Sequence, residues 1–265
     1  MTPKAEFLEA LTTFETQVVE ATKFWFAASA MNECAKLNPD TLKAINLTAG
    51  FWLTVKLALE QQAILAVGKI FGAGERTTRN MNSFLRVLEE SRLTVFSKEA
   101  LAERETRMPR GVEVDRAHVP TIEDIRRLGR LVRRHRRTYE TQFKQIRDEH
   151  IAHTEIIDPA AQWAMFQKTR IKDLEKLIAF LNQFQVAVRG MYEQGRAAKL
   201  RPMRWSVRSL AKRKLKDLSQ NVSQEDIVAE AKICMALLTR EQMLCRAPPD
   251  VLCAGGDLRV QLGNR

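Results

Sequence analysis

Apolar residues recur at alternating intervals of three and four over roughly the first 70 positions, and this spacing restricts the chain to helices. Such intervals return to one helical face at every turn. They are filled first by Phe7, Leu11, Phe14, Val18, Ala21, Trp25 and Ala28, and then by Leu42, Ile45, Ala49, Trp52, Leu59, Ala63, Ala66 and Ile70. We therefore expect a helix over residues 4–37 and a second long helix from a cap at Asp40 to about residue 70, lying antiparallel.

The rest of the chain continues the helical pattern without strand-like alternation. Two shorter helices are expected at about 78–91 and 97–107, and His118 should be solvated in the loop that follows. Beyond this loop, Thr121 and Asp124 have the spacing of a capping box and should open a further helix.

Later helices are marked by their own start and stop signals. Asp158-Pro159 is typical of a helix start, and a core helix with apolar residues from Leu174 to Val188 should end at Gly195. Ser223 should cap a final helix ending near Leu238. The expected fold class is all-α, an antiparallel helical bundle over residues 1–195, with a basic helical appendage at 196–245 and a flexible tail at 246–265.

Charge points to a polyanionic partner. The chain has 43 Lys and Arg against 32 Asp and Glu, a net charge of +11, which favours nucleic acid over lipid because no basic helix has a strong aromatic face. Seven arginines fall within residues 126–137, and nine basic residues without an acidic one fall within 196–216. A solvated basic face is the alternative interpretation of the arginine run. The candidate nucleic-acid-binding residues are Arg133, Arg137, Arg204, Arg208, Lys212 and Arg213.

The sequence shows no sign of a membrane-spanning segment, a secretory signal or paired cysteines. The longest apolar stretch, residues 51–71, is interrupted by Lys56, Glu60 and Lys69, so no transmembrane helix is expected. No signal peptide is expected, and the protein should be cytoplasmic. The four cysteines lack C-x-x-C spacing and should be reduced thiols.

Residues 139–155, YETQFKQIRDEHIAHTE, concentrate the groups suited to acid-base chemistry. Two of the four histidines, His150 and His153, lie here near Arg147. Steps of about 100° per residue place these three side chains on one side of an ideal helix, whereas Asp148 projects away from it. Three residues of an apolar stripe share that side, namely Tyr139, Phe143 and Ile146. Charged groups along a buried stripe cost free energy unless they are paired or line a cleft.

Three interpretations of this cluster compete. In a structural role, Arg147 pairs with a carboxylate and the histidines donate hydrogen bonds across a helix interface. As metal ligands, His150 and His153 lack an identifiable third partner, and the neighbouring arginine is unfavourable for a cation. In phosphate chemistry, a fixed guanidinium stabilises the charge gained in the transition state while histidine transfers protons. The third interpretation needs no metal or other cofactor.

The motif also resembles a known family. Arg147, Asp148 and His153 fit the pattern R-polar-x(3–5)-H of HEPN domains, which are all-helical proteins found in prokaryotic toxins and antiphage systems. The sequence RDEHIAH, together with ALEQQAILAVGKIFG at residues 58–72, is most similar to the abortive-infection U2-type branch of that superfamily. The likeness spans about residues 5–194.

This resemblance implies a bundle of four to five helices that dimerises and cleaves RNA without a metal in a cleft between two motif helices. Arg147 would contact the phosphate, His153 would be the acid or base, and Asp148 would orient them. His150 and Tyr139 are accessory candidates. The implied partners are RNA, a second copy of the chain, and an antitoxin or other protein. Because some family members are non-catalytic, the alternative is a helical module that binds nucleic acid or a partner protein.

Overall fold

A computed structural model describes residues 2–72, 80–105, 118–148, 171–201, 207–214 and 223–246. These residues form ten helices, and no strand occurs among them. The helices are α1 (Pro3–Leu37), α2 (Pro39–Leu47), α3 (Ala49–Phe71), α4 (Met81–Glu90), α5 (Arg92–Val95), α6 (Lys98–Glu105), α7 (Ile122–Gln142), α8 (Ile171–Gln194), α9 (Val207–Lys212) and α10 (Ser223–Arg246). The prediction of an all-α helical bundle is confirmed.

Helix α1 is the central element of the bundle. It begins where Thr2 accepts a hydrogen bond from the Ala5 amide at 3.3 Å, with Pro3 at its first position. It packs against α3, α4, α8, α9 and α10. Every apolar residue predicted for its inner face is buried, namely Phe7, Leu11, Phe14, Val18, Ala21, Trp25 and Ala28. Helical spacing alone therefore located this face.

The second long helix is two helices, so the prediction of one continuous element was wrong. Thr48 leaves the helical region at φ −128° and ψ 42°, and α2 and α3 meet there at a bend of 99°. A β-branched residue close to Gly50 is a poor continuation of a helix. The cap is also Asn38 rather than Asp40, because the Asn38 side chain accepts the Asp40 amide at 2.9 Å.

The two halves of α3 differ in burial. Phe51, Leu53 and Leu57 in the first half are 61%, 59% and 49% exposed. The second half is buried from Ala63 through Phe71, apart from two residues on its outer side. Only this second half therefore belongs to the core, and it is the part of α3 that reaches the motif segment.

Helices α7 and α8 complete the core around α1. Thr121 and Asp124 form the predicted capping box at the start of α7. The apolar residues predicted for α8 are all buried, namely Leu174, Leu177, Ile178, Leu181, Phe184 and Val188. The chain leaves α8 at Gly195, whose φ of 59° lies in the left-handed region that favours glycine. Gly195 therefore ends α8 as the sequence predicts.

The two C-terminal helices pack on the bundle. Val207 and Ala211 of α9, and Val228 and Met235 of α10, are buried and belong to the main hydrophobic cluster. Helix α10 continues to Arg246, beyond the end predicted near Leu238. The division of the chain at residue 195 stays a prediction, and the predicted tail lies outside the described residues apart from Arg246, which ends α10.

Two smaller expectations have definite outcomes. His118 is not simply solvated, because its Nε2 lies 3.0 Å from Oδ2 of Asp124 and its side chain is 37% exposed. Cys34 and Cys234 are free thiols. In the described part of the chain, no single helix combines the length and apolarity needed to cross a membrane, although α2 and α3 meet that test as a bent pair.

Candidate functional site

The apolar stripe that leads into the motif is buried as predicted. Tyr139, Phe143 and Ile146 are each at most 2% exposed, and the Tyr139 ring stacks on Phe71 of α3 with centroids 6.0 Å apart. This packing attaches the end of α7 to the second half of α3. The polar residues that follow are consequently held against a fixed surface.

The motif segment departs from an ideal helix after α7. The chain turns at Phe143, whose φ is −124°, and residues 146–148 form a wider, π-type helical turn. Such turns place side chains at angles that a regular helix does not reach, and they are frequent at functional sites.

The sequence projection places Asp148 away from the apolar stripe. In the structure it pairs with its neighbour Arg147, whose Nε donates to Oδ1 of Asp148 at 2.6 Å. Lys144 approaches the second carboxylate oxygen at 3.3 Å. Burial alone would raise the pKa of Asp148, but the hydrogen bonds from Arg147 and Lys144 hold it below its usual value.

Arg147 is held in a defined direction yet stays accessible. Its Nη1 donates to the Gly68 carbonyl at 3.3 Å, and its Nη2 also pairs with Asp148. The side chain is 26% exposed, and that of Asp148 is 32% exposed. The guanidinium is therefore oriented by two partners from different elements without being closed off from solvent.

Gly68 contacts the motif arginine, and the sequence did not point to it. A Cβ atom at this position would lie 2.6 Å from Oη of Tyr139 and 2.7 Å from Cδ of Arg147. Only a residue without a side chain leaves room for Arg147 against α3. The available signal was a glycine inside an apolar helix, which costs about 1 kcal/mol relative to alanine and often marks a close approach.

Tyr139 contributes a buried hydroxyl to this site. Its Oη lies near the Arg147 side chain but has no hydrogen bond of good geometry to any residue that the structure describes. Burial raises the pKa of Tyr139 to about 12, and the charge of Arg147 only partly opposes this. The phenol is therefore neutral at physiological pH and has a proton available to donate.

The two motif histidines, His150 and His153, lie outside the described residues, as does Arg204. The roles predicted for them stay predictions. His135, which the sequence reasoning did not consider, stacks on Phe180 with centroids 3.8 Å apart and donates from Nδ1 to the Leu131 carbonyl at 2.9 Å. Burial lowers the pKa of His135, which indicates a packed, neutral ring.

The arginine run of α7 is mostly exposed. Arg126, Arg133, Arg134 and Arg137 are exposed and form no ion pair with a described residue. Arg130 pairs with Glu123 at 2.7 Å, and Arg136 is partly buried. Candidates Arg133 and Arg137 are thus accessible to a phosphate.

The C-terminal candidates are less uniform. Lys212 is exposed, but Arg213 donates to Glu225 at 2.8 Å and Arg208 lies 4.0 Å from Glu33. The acidic residues come from α10 and α1, so the absence of acids within residues 196–216 did not reveal them. Part of this predicted surface is therefore neutralised within the protein.

The described helices form an all-α bundle that holds the arginine-bearing turn against α3. The sequence model HEPN_AbiU2, described as AbiU2, matches residues 6–195 of the 265-residue chain. The chain belongs to this AbiU2 branch of the HEPN superfamily, and the predicted resemblance is confirmed. Neither a curated protein nor a solved structure matches the sequence. The family indicates an abortive-infection module of ribonuclease-like type, without assigning roles to Arg147, Asp148 or His153.

Proposed function

We propose that the protein is a metal-independent endoribonuclease of a toxin or antiphage defence system. The observation that carries this proposal is the position of the Arg147 side chain. Its guanidinium is half-buried and is fixed by the Gly68 carbonyl and Asp148, yet it is open to solvent. A preorganised cation of this kind can favour a phosphate in the transition state over its ground state. The AbiU2 family supports the same chemistry.

In the proposed reaction, the 2′-hydroxyl of RNA attacks the adjacent phosphorus. His153 accepts the proton of that hydroxyl, the bond from phosphorus to the 5′-oxygen breaks, and the leaving oxygen takes a proton from a second acid. Arg147 stabilises the extra charge on the phosphoryl oxygens. Asp148 orients Arg147, and His150 and Tyr139 are accessory donors. The products are a 2′,3′-cyclic phosphate and a 5′-hydroxyl.

A composite site in a cytoplasmic homodimer is part of this proposal. Two copies of His153 facing one cleft would supply both the base and the acid that the reaction needs. The family supports this arrangement, and an antitoxin or another protein could regulate it by covering the cleft. Sedimentation of the purified chain tests the dimer directly.

The decisive experiment incubates purified protein with single-stranded RNA in excess EDTA and identifies the product ends. We expect cyclic-phosphate ends from the wild type and their loss in His153→Ala. The matched control is His118→Ala, which removes a histidine paired with Asp124 at the other end of α7 and should leave cleavage intact. Intact RNA with the wild type, or full activity in His153→Ala, would overturn the proposal.

The alternative is a non-catalytic module that binds nucleic acid or a partner protein. The ion pair between Arg147 and Asp148 favours it, because a carboxylate already occupies the guanidinium. This alternative holds if the wild type binds RNA without cleaving it and binding survives His153→Ala. It further requires that binding is lost on removing the charges of Arg204, Arg208, Lys212 and Arg213.

A further inference from the structure

A cavity of about 320 Å³ lies beside the last turns of α8, and Arg147 is not among its lining residues. Its lining includes Arg196, Lys199 and Arg201 together with Gln183, Val186 and Ala187. None of the three cations forms an ion pair with a described residue, and no carboxylate is among the lining residues. We call it the cation cavity. Its volume lies at the lower end of the range, about 300 to 1,000 Å³, that small-molecule sites occupy.

The loop that carries these cations, residues 195–201, is fixed by the surrounding bundle. The Gly195 carbonyl accepts the His118 amide at 2.9 Å, and the Ala198 carbonyl accepts Nη2 of Arg127 at 2.8 Å. Ala198 is buried in the core, whereas the next residue, Lys199, is exposed. The three cations therefore extend from a backbone that is fixed before a ligand binds, which lowers the entropic cost of binding.

Three cations without a carboxylate partner in the described part of the chain, beside a partly apolar lining, suit one chemical class of ligand. Phosphate oxygens would bind Arg196, Lys199 and Arg201, while Val186 and Ala187 provide an apolar surface for a base. Arginine also stacks on bases through its planar guanidinium. A cavity can receive a nucleotide whose base is unstacked, but a base pair within a duplex cannot enter it.

The cation cavity also adjoins the exposed arginines of α7. Arg127 touches its loop, and Arg126, Arg130, Arg133 and Arg137 lie on the same helix within an arc of about 60°. Helix α7 then runs about 30 Å from this end to the motif segment. A strand bound at the cavity would therefore continue over positive surface.

We propose that the cation cavity binds one nucleotide of single-stranded RNA and anchors the substrate away from the site of cleavage. This inference rests on the proposed function for the identity of its ligand. Binding and cleavage are measured separately, so an anchor that fails and an enzyme that fails to cleave give different results.

The test measures binding of a fluorescent oligoribonucleotide of about 16 nucleotides, within the range of single-strand site sizes, by anisotropy at several salt concentrations. All proteins carry His153→Ala so that the RNA stays intact. The test variant replaces Arg196, Lys199 and Arg201 by Gln. The control variant replaces three exposed lysines, Lys23, Lys98 and Lys172, which are distributed over α1, α6 and α8, and loses the same charge.

The salt slope is the steepness with which the logarithm of the binding constant falls with the logarithm of the salt concentration. For single-stranded RNA each lost phosphate contact should reduce this slope by about 0.7, so the slope of the test variant should be smaller than that of the wild type by about 2. The control variant should keep the wild-type slope, and so should a charge-conserving variant with Arg196→Lys, Lys199→Arg and Arg201→Lys. With a duplex of equal length, the test and control variants should behave alike. An unchanged slope in the test variant, an equal loss in the control, or an equal loss on duplex RNA would overturn the anchor.

Discussion

Cations near the two ends of α7 lie under opposite electrostatic conditions. At its C-terminal end, Arg147 is paired with Asp148 and held against the Gly68 carbonyl. At its N-terminal end, the cation cavity displays charges that no described carboxylate neutralises. The pairing at Arg147 fixes the direction of one guanidinium. The cations of the cavity attract phosphates strongly, but no partner fixes the direction of their side chains among the described residues.

This difference separates chemistry from binding. A cation that is already oriented loses little on meeting a transition state, so it can act on the rate of the chemical step. Unpaired cations attract every phosphate of a ground-state strand, so they act on affinity and its salt dependence. Variants at the two ends should consequently change different kinetic quantities.

The largest effect is expected from Arg147→Ala. Removing one preorganised donor lowers kcat by about 10² to 10³-fold in comparable sites, so cleavage at saturating RNA should fall by that factor. Affinity should change little, because Asp148 already offsets the charge of Arg147. Single-turnover cleavage in EDTA gives the rate, and the cation-cavity variant serves as the control that alters affinity alone. A loss of affinity without a loss of rate would contradict the division between the two ends.

The next effect concerns Gly68→Ala, which inserts a methyl group between Tyr139 and Arg147. Overpacking of this kind costs about 1 to 3 kcal/mol, which outweighs a gain in helix propensity of up to about 1 kcal/mol. Chemical denaturation should therefore show a lower free energy of unfolding, and RNA cleavage should fall because Arg147 is displaced.

Gly50→Ala is the matched control in the same helix. A Cβ atom at Gly50 meets nothing within 4 Å, so this change should leave stability equal or raise it by up to about 1 kcal/mol. Changes of opposite sign in the free energy of unfolding at the two glycines would establish that the Arg147 side chain needs the space beside Gly68. Equal stabilisation at both positions would show that α3 and the motif segment adjust freely.

The same contrast shows what the sequence could and could not predict. The helical class, the inner face of α1 and the buried stripe of Tyr139, Phe143 and Ile146 followed from spacing, because regular helices obey a fixed period. The bend at Thr48 did not follow, since apolar residues continue in register on both sides of it. Propensity alone was too weak to locate that break.

At the site, the sequence identified Arg147 but not its surroundings. The π-type turn at residues 146–148 was not predicted, because a helical projection assumes a regular period. Gly68 is distant in sequence, and its role depends on packing between α3 and the motif segment. For the same reason, the pairing of Arg213 with Glu225 of α10 was invisible in the local composition.

A further prediction uses the buried hydroxyl of Tyr139. Because the pKa is raised to about 12 in the folded protein and is about 10 in the unfolded chain, the folded state keeps a proton that the unfolded state loses. Stability should therefore fall as pH rises from about 10 towards 12, by up to about 1.4 kcal/mol per pH unit. Denaturation across this range measures the fall.

Tyr139→Phe should remove that alkaline loss. At neutral pH the variant should be about as stable as the wild type, because the lost hydroxyl has no well-formed hydrogen bond among the described residues. Ultraviolet absorbance should also lose the late-titrating tyrosinate in the folded protein. If the alkaline fall persists in the variant, another group is responsible. A fall in cleavage with unchanged stability would support the accessory role of Tyr139.

A smaller effect is expected from Asp148→Asn. Two unit charges about 4 Å apart in water interact by about 1 kcal/mol, so removing this carboxylate should tighten RNA binding by roughly fivefold. The variant should also lose a pH-dependent contribution to stability. Because the pKa of Asp148 is lowered in the folded protein, its carboxylate stabilises the fold above the usual aspartate pKa, and this stabilisation is lost as pH falls through the lowered value. Anisotropy in the His153→Ala background measures the affinity.

Asp173→Asn is its control, because Asp173 pairs with Lys176 at 2.7 Å on α8 and its substitution removes the same charge elsewhere. Affinity should rise less in this control than in Asp148→Asn. Equal gains would mean that net charge alone sets the affinity. A loss of affinity in Asp148→Asn would indicate that the carboxylate orients Arg147 for binding.

The smallest effect should come from the exposed arginines between the two ends. Arg133→Gln with Arg137→Gln removes two charges that form no ion pair with a described residue. At about 0.7 per phosphate contact, the salt slope on single-stranded RNA should fall by about 1.4. The rate at saturating RNA should stay at the wild-type value, because neither residue orients the reacting phosphate. Salt titration with single-turnover cleavage checks both quantities. A reduced rate at saturation would bring the middle of α7 into the chemical step, and an unchanged slope would leave its arginines as a solvated face.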